Sequence, residues 1–127
     1  QESESLFYAE LKRLQAIIQH LQAGNINFVI LDEILRGTNS NDKRNGTIGL
    51  IRKMAKENTF GIIATHDVVV TDLIKEYPDY ISNKAFESQI INDELLFDYK
   101  LKEGVCNTLS ASYLMKKMGV IDSDSKS

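Results

Sequence analysis

Phe28-Val-Ile-Leu-Asp-Glu-Ile-Leu-Arg-Gly-Thr-Asn-Ser-Asn-Asp42 is the stretch that decides how the rest of the chain is read. It opens with four apolar residues, Phe28 to Leu31. A short apolar run rich in branched side chains reads as a strand buried on both faces. Two carboxylates, Asp32 and Glu33, follow at once, then a polar loop carrying Gly37, then a helical pattern. A strand end holds a carboxylate rigidly at the crevice where ligands sit in open α/β sheets. An acid in the first position, Asp32, can hold Mg²⁺ directly or through water. An acid in the second, Glu33, can orient or deprotonate an attacking water. A plainer reading stands beside this one: acids that end a strand and begin a solvated loop, since acids are mostly exposed.

The bulk numbers narrow the field. The chain has 127 residues, enough for one domain with a modest core. Its 43% hydrophobic and 26% charged content is ordinary for a soluble globular protein. A net charge of −3 gives no electrostatic footprint for nucleic acid, so no direct DNA contact is expected from this segment. Cys106 is the only cysteine, which excludes an internal disulfide and suits a reducing, cytoplasmic setting. The apolar runs are too short to span a bilayer. The sequence begins at Gln1, without Met, in what reads as a helix lead-in, so a piece of a longer chain is expected.

Upstream of the acid stretch, Phe7, Leu11, Leu14, Ile18 and Leu21 make a helical stripe that Gly24 and Asn25 end. Ser5 stands where a serine caps such a helix. Downstream, Asp42 or a neighbour caps a second helix with Ile48, Ile51, Met54 and Ala55 inward, and Asn58 and Thr59 end it. Phe60 to Ala64 is a second buried strand, so residues 28–64 form a β-α-β unit with parallel strands. Thr65-His66-Asp67 follows that strand directly. Parallel strands therefore bring His66 and Glu33 out at one edge of the sheet. A histidine that only satisfies its loop is the plainer alternative. Residues 68–77 are expected to be helical, with Asp67 as cap and Pro78 as stop. Ile81 to Ile91 and Glu94 to Lys102 read as antiparallel strands joined at Asn92-Asp93. A last helix runs from a Thr108 cap to Met118, with Leu109, Tyr113 and Leu114 inward and Gly119 as stop.

The order of buried strand, paired acids, loop and helix is that of the acid strand of a P-loop nucleotide hydrolase. Leu31-Asp32-Glu33-Ile34 with Arg36-Gly37-Thr38-Asn39-Ser40 closely resembles the Walker B and D-loop of the MutS mismatch-repair ATPases. Ala64-Thr65-His66 resembles their switch-histidine segment, and Ser5-Leu6-Phe7-Tyr8-Ala9-Glu10 their ABC-type signature. Residues 99–104 and the last helix resemble the closing hairpin and helix. Three motifs in the right order carry the likeness, which runs from about Ser5 to Ile121. The chain departs from the pattern at Leu35, where glycine is usual, at Asn39, where serine is usual, and at Lys43 and Arg44, where glycine follows Asp42. No G-x-x-x-x-G-K-[ST] is present. In the family that phosphate loop precedes the signature.

The resemblance implies a three-layer, P-loop-NTPase-like α/β sheet fragment with parallel strands, followed by an antiparallel hairpin and a helix. Residues 1–121 would be the C-terminal half of an ABC-type ATPase domain and 122–127 a frayed tail. Its sheet would expose apolar surface meant for the missing half. It further implies that Asp32 supports Mg²⁺, Glu33 activates water and His66 contacts the γ-phosphate of ATP. Ser5 would meet the γ-phosphate of the opposite protomer, with Asn39, Ser40 and Asp42 in the D-loop at a dimer interface. DNA would be held by N-terminal domains outside this segment, and hydrolysis would switch a clamp on it. Other readings keep some of these residues: an ABC-type ATPase of recombination or chromosome maintenance, a metal-dependent nuclease built on Asp32, Glu33 and His66, or a non-catalytic interaction module. The nuclease needs further acids at the same edge, where only Asp67 and Asp42 are spare.

Overall fold

The computed structural model describes residues 2–25, 28–57, 59–106 and 110–122, with the side chains of 2–4, 110 and 111 outside that description. The chain divides into two compact units, residues 1–81 and 82–127.

The first unit begins with helix α1, Glu2–Gln22. Its packed face is Phe7, Leu14, Ile17, Ile18 and Leu21. Leu11, expected inward, is 39% exposed, and Ile17 takes its place. The helix ends as its sequence predicts. Gly24 adopts φ +79°, its N–H donates to the Leu21 carbonyl, and the Asn25 N–H donates to that of His20. That pair of bonds closes a helix on a left-handed glycine. At the other end the expectation fails. The helix is already formed three residues before Ser5, so Ser5 lies in its first turn and is not its N-cap.

Strand β1, Phe28–Asp32, pairs in parallel with β2, Phe60–Ala64, in the register Phe28↔Phe60 to Asp32↔Ala64. The helix between them, α2, spans Ser40–Lys56. Its cap is Asn39, whose side-chain oxygen accepts from the Asp42 N–H at 2.8 Å. The face it buries is Thr47, Leu50 and Met54, rather than Ile48, Ile51 and Ala55, which are only partly covered. Thr59 falls outside the helix as expected, and Asn58 lies outside the described residues.

The strands are not buried on both faces. Val29 and Leu31 are 5% and 6% exposed and pack with Leu21, Leu50 and Met54. Their neighbours Phe28, Ile30, Phe60 and Ile62 are 53%, 66%, 72% and 60% exposed. Four apolar residues in a row supply two apolar faces, but burial of the second needs a covering layer. Both α1 and α2 contribute to the one core on the Val29–Leu31 side, so the described residues of this unit form two layers where three were expected. Gly61 fits this geometry closely: a Cβ there would stand 2.4 Å from the Met54 methyl and 3.1 Å from the Val29 carbonyl oxygen.

Residues 68–77 are less helical than expected. A 3₁₀ turn, Val70–Asp72, leads into a single α turn, α3, Leu73–Glu76. Three consecutive valines lose side-chain freedom in a helix, which favours the shorter element. Val70 and Leu73 are buried and seat it.

The second unit is a hairpin of β3, Lys84–Ile91, and β4, Glu94–Glu103, followed by α4, Ser110–Lys117. Asn92 and Asp93 both have positive φ, +54° and +64°, the geometry of a two-residue turn whose twist matches the strands. Ile81 falls outside the strand. The register shifts between Phe86↔Leu101 and Ser88↔Phe97, so the stretch 98–100 bulges opposite Glu87, with Tyr99 at φ +56°. α4 ends on Gly119, φ +79°, with Val120 N–H donating to the Met115 carbonyl. The expected cap Thr108 and inward Leu109 lie outside the described residues, as does most of the expected tail, 123–127. The fold is thus α/β: a small parallel sheet with helices, and an antiparallel hairpin with a helix. No helix among the described residues is long and apolar enough to cross a membrane.

Candidate active site

The parallel register sets the site. Asp32 pairs with Ala64 as the last rung, and one further bond, Glu33 N–H to the Ala64 carbonyl at 3.0 Å, carries the ladder one residue past it. Glu33 then turns to φ +50° and leaves the strand. The chain after β2 leaves at the same level, so His66 arrives beside it. The His66 backbone N–H donates to Glu33 Oε1 at 2.9 Å, and its Nε2 lies 3.6 Å from that oxygen. Glu33 and His66 meet as the sequence implied.

Glu33 has a second partner that the motif reading passed over. Lys43 Nζ, in the first turn of α2, donates to Glu33 Oε2 at 2.7 Å. The Glu33 side chain is only 12% exposed. Lys43, with help from the His66 amide, holds its carboxyl below the ordinary 4.5, against a burial effect that pushes the other way. Glu33 is therefore a fixed carboxylate with both oxygens engaged. His66 differs: its side chain is 97% exposed and contributes almost no packing.

Arg44, one residue on, clasps the other loop. Its Nε and Nη2 donate to Asp67 Oδ2 and Oδ1 at 2.7 and 3.0 Å. This two-pronged bond holds the Asp67 carboxyl below its ordinary 3.8. Asp67 also accepts from the Val69 N–H at 3.1 Å, which is the turn that opens the 3₁₀ segment. So α2 is pinned to both strand-end loops by adjacent cations. Their spacing was visible in the sequence, but their targets were not.

A third tie comes from α1. Glu10 Oε2 accepts from the Leu35 N–H at 2.7 Å. Leu35 is buried and sits at φ +62°, a region that suits glycine. This is the position where the family pattern has glycine. The leucine reaches that conformation with its amide held by Glu10 and its side chain against Gly46, where a Cβ would lie 2.4 Å from a Leu35 methyl. Gly37 is likewise closed off, since a Cβ there would meet the Cβ of Phe7 at 2.9 Å. The acid loop is thereby seated on α1 at Phe7 and Glu10.

The other predicted residues are more dispersed. Asp32 is exposed at the strand end, on the uncovered face with Ile30. Asn39, Ser40 and Asp42 form the exposed start of α2, where the Asn39 side chain accepts from the Asp42 backbone N–H and donates to the Asp42 carboxylate. Ser5 is exposed in the first turn of α1, and the described hydrogen bonds link it to neither Glu33 nor His66. Among the described residues no three His, Cys, Asp or Glu side chains gather as a metal-ligand set. The Asp67 carboxylate, a spare acid for a nuclease, is taken by Arg44.

The family model described as MutS domain V matches residues 1–122. The chain belongs to the MutS family. It is also similar to the DNA mismatch repair protein MutS of Thermotoga maritima, at 26% identity over 118 residues. That match covers 93% of this chain and 14% of the relative, so the chain spans about one-seventh of that protein. The match over residues 1–122 takes in both units, including the hairpin and α4.

Proposed function

We propose that this chain is the C-terminal half of a MutS-like ATPase domain, and that in the whole protein it hydrolyses ATP between two protomers to switch a DNA mismatch-repair clamp. The observation that carries this is Glu33: a carboxylate fixed at a strand end by Lys43 and the His66 amide, beside a histidine whose ring faces solvent. A preorganised carboxylate of this kind can accept a proton from an attacking water. Its remaining lone pairs are open to that water, since each oxygen accepts from one close donor. His66 has no packing duty, so its ring is available to a phosphate oxygen. Asp32 would hold Mg²⁺, which when bound would offset phosphate charge. Asn39, Ser40 and Asp42 cap and open α2 where a partner protomer could be met. Ser5, in the first turn of α1, lies where helix amides favour an anion. The phosphate-cradling loop would come from sequence outside these residues, and DNA contacts from further domains, in line with a net charge of −3 here.

The test uses the whole protein. Glu33→Gln is expected to keep ATP binding and to slow single-turnover hydrolysis about a hundredfold or more, the range for losing a general base. Asp32→Asn is expected to weaken the Mg²⁺-dependent steps instead. Equal and mild effects from both substitutions would return the pair to being solvated acids at the end of a strand.

A further inference from the structure

We propose that Lys43 is the positioning residue for Glu33, fixing one carboxylate oxygen from α2 while the His66 amide fixes the other. The inference rests on Glu33 acting on water, as proposed above, and adds a residue that the family pattern does not supply. The pattern has glycine after Asp42, and glycine has no side chain with which to reach the acid loop.

The geometry makes Lys43 a defined arm rather than a loose surface cation. Its N–H donates to the Asn39 carbonyl at 2.9 Å, within the capped first turn. Its carbonyl accepts from the Thr47 hydroxyl at 2.8 Å, and Thr47 is buried. From that anchored backbone the ammonium reaches a carboxylate ten residues earlier in sequence. Arg44 follows at about 100° around the helix, so it reaches a different loop and closes on Asp67 with two bonds. Asp67 adjoins His66, the donor to the other oxygen of Glu33. The two cations thus clasp the loop after β1 and the loop after β2 from one helix turn. Without Lys43, Glu33 Oε2 has no other close donor among the described residues, and the carboxylate is held at one oxygen only.

The experiment compares Lys43→Met, which keeps most of the stem and removes the ammonium, with Lys43→Arg, each alone and with Glu33→Gln, in the whole protein. Turnover, ATP affinity by titration and amide exchange at His66 are measured. For Lys43→Met, kcat is expected to fall about 10- to 100-fold, as for a misplaced catalytic group, with the ATP Kd within about threefold of wild type. Its His66 amide is expected to exchange faster, because the acceptor of that N–H is no longer held. Lys43→Arg should restore turnover to within about threefold. In the Glu33→Gln background, Lys43→Met should cost less than about twofold more, because residues that act as a unit are not additive. The inference is overturned if Lys43→Met turns over like wild type while Glu33→Gln is impaired, or if the two losses multiply in full. It is also overturned if both Lys43 variants melt many degrees lower, which would make Lys43 a folding residue. Wild-type turnover in Glu33→Gln alone would instead remove the reading of Glu33, and this inference with it.

Discussion

The two units of the chain are held together in different ways. All of the buried apolar side chains among the described residues, from Leu21 to Leu73, belong to the first unit. The second buries Ser88 and no apolar residue to that degree. Its order comes from the β3–β4 ladder, the Asn92-Asp93 turn and bonds that tie α4 to that turn, where the Tyr113 hydroxyl reaches the Asp93 carboxylate and the Lys117 ammonium reaches the Asp93 carbonyl. The first unit is closed by contacts that skip far along the sequence: Glu10 to Leu35, Glu33 to His66, Arg44 to Asp67, Arg52 to Glu76. The carboxylate of Glu33 is fixed in the unit that has the core.

The largest expected effect separates these two regimes. Leu31→Ala removes a side chain from the centre of the first core and is expected to cost about 3 kcal/mol, as for buried leucines generally. Phe97→Ala, at a half-exposed position whose ring lies 6.0 Å from that of Tyr99, should cost about 1 kcal/mol or less. Hydrogen exchange reads both, with the loss confined to the unit that carries the substitution. Equal losses would mean that the second unit has a hydrophobic core after all.

Next comes Gly46→Ala. Its new methyl meets the Leu35 side chain at 2.4 Å, so overpacking of about 1–3 kcal/mol is expected. Leu35→Gly should relieve that overpacking, because glycine clears the space and accepts the φ of +62°, but it also gives up a buried side chain, so the pair should lose less than the sum of the two single losses. A thermal-melt cycle measures the coupling. Simple additivity would show that Leu35 can move aside and that the acid loop is softer than its contacts imply.

A smaller effect is expected from pH. The Arg44 guanidinium, with the Val69 amide, lowers the Asp67 carboxyl below 3.8 in the folded chain. A depressed folded value means that stability is present above the unfolded pKa and is lost as pH falls through the folded one. Melting temperature should therefore hold steady above about pH 5 and fall below about pH 4. Asp67→Asn should lower the plateau by about 2–4 °C, as for a partly exposed ion pair, and flatten the acid limb. An unchanged acid limb would show that the clasp contributes nothing to folding.

The smallest expected change is in stability on His66→Ala. With its ring 97% exposed, melting should move by about 1 °C or less, while ATP turnover by the whole protein falls. A drop of many degrees with activity per folded molecule kept would make His66 structural.

Much of this was written in local sequence. The acid stretch gave the strand and its carboxylates, the parallel crossover implied that His66 would reach Glu33, and Gly24 and Gly119 marked helix ends that close on left-handed glycine. Asn92-Asp93 marked the turn. These signals depend on one residue and its near neighbours, or on the handedness of a single crossover. Ser5 was misread as a cap because the residues before it already satisfy a helix. The helical stripe of α2 was misplaced by a residue or so, because the side that is buried depends on where the strands lie. Tertiary structure alone decided which face of β1 and β2 is covered, since an apolar pattern records the capacity for burial and not the presence of a covering layer. It alone paired Lys43 with Glu33, Arg44 with Asp67 and Glu10 with Leu35. Charges on solvated loops carry no periodicity that names their partners, and only the meeting of two strand ends with the first turn of α2 brings them within hydrogen-bond reach.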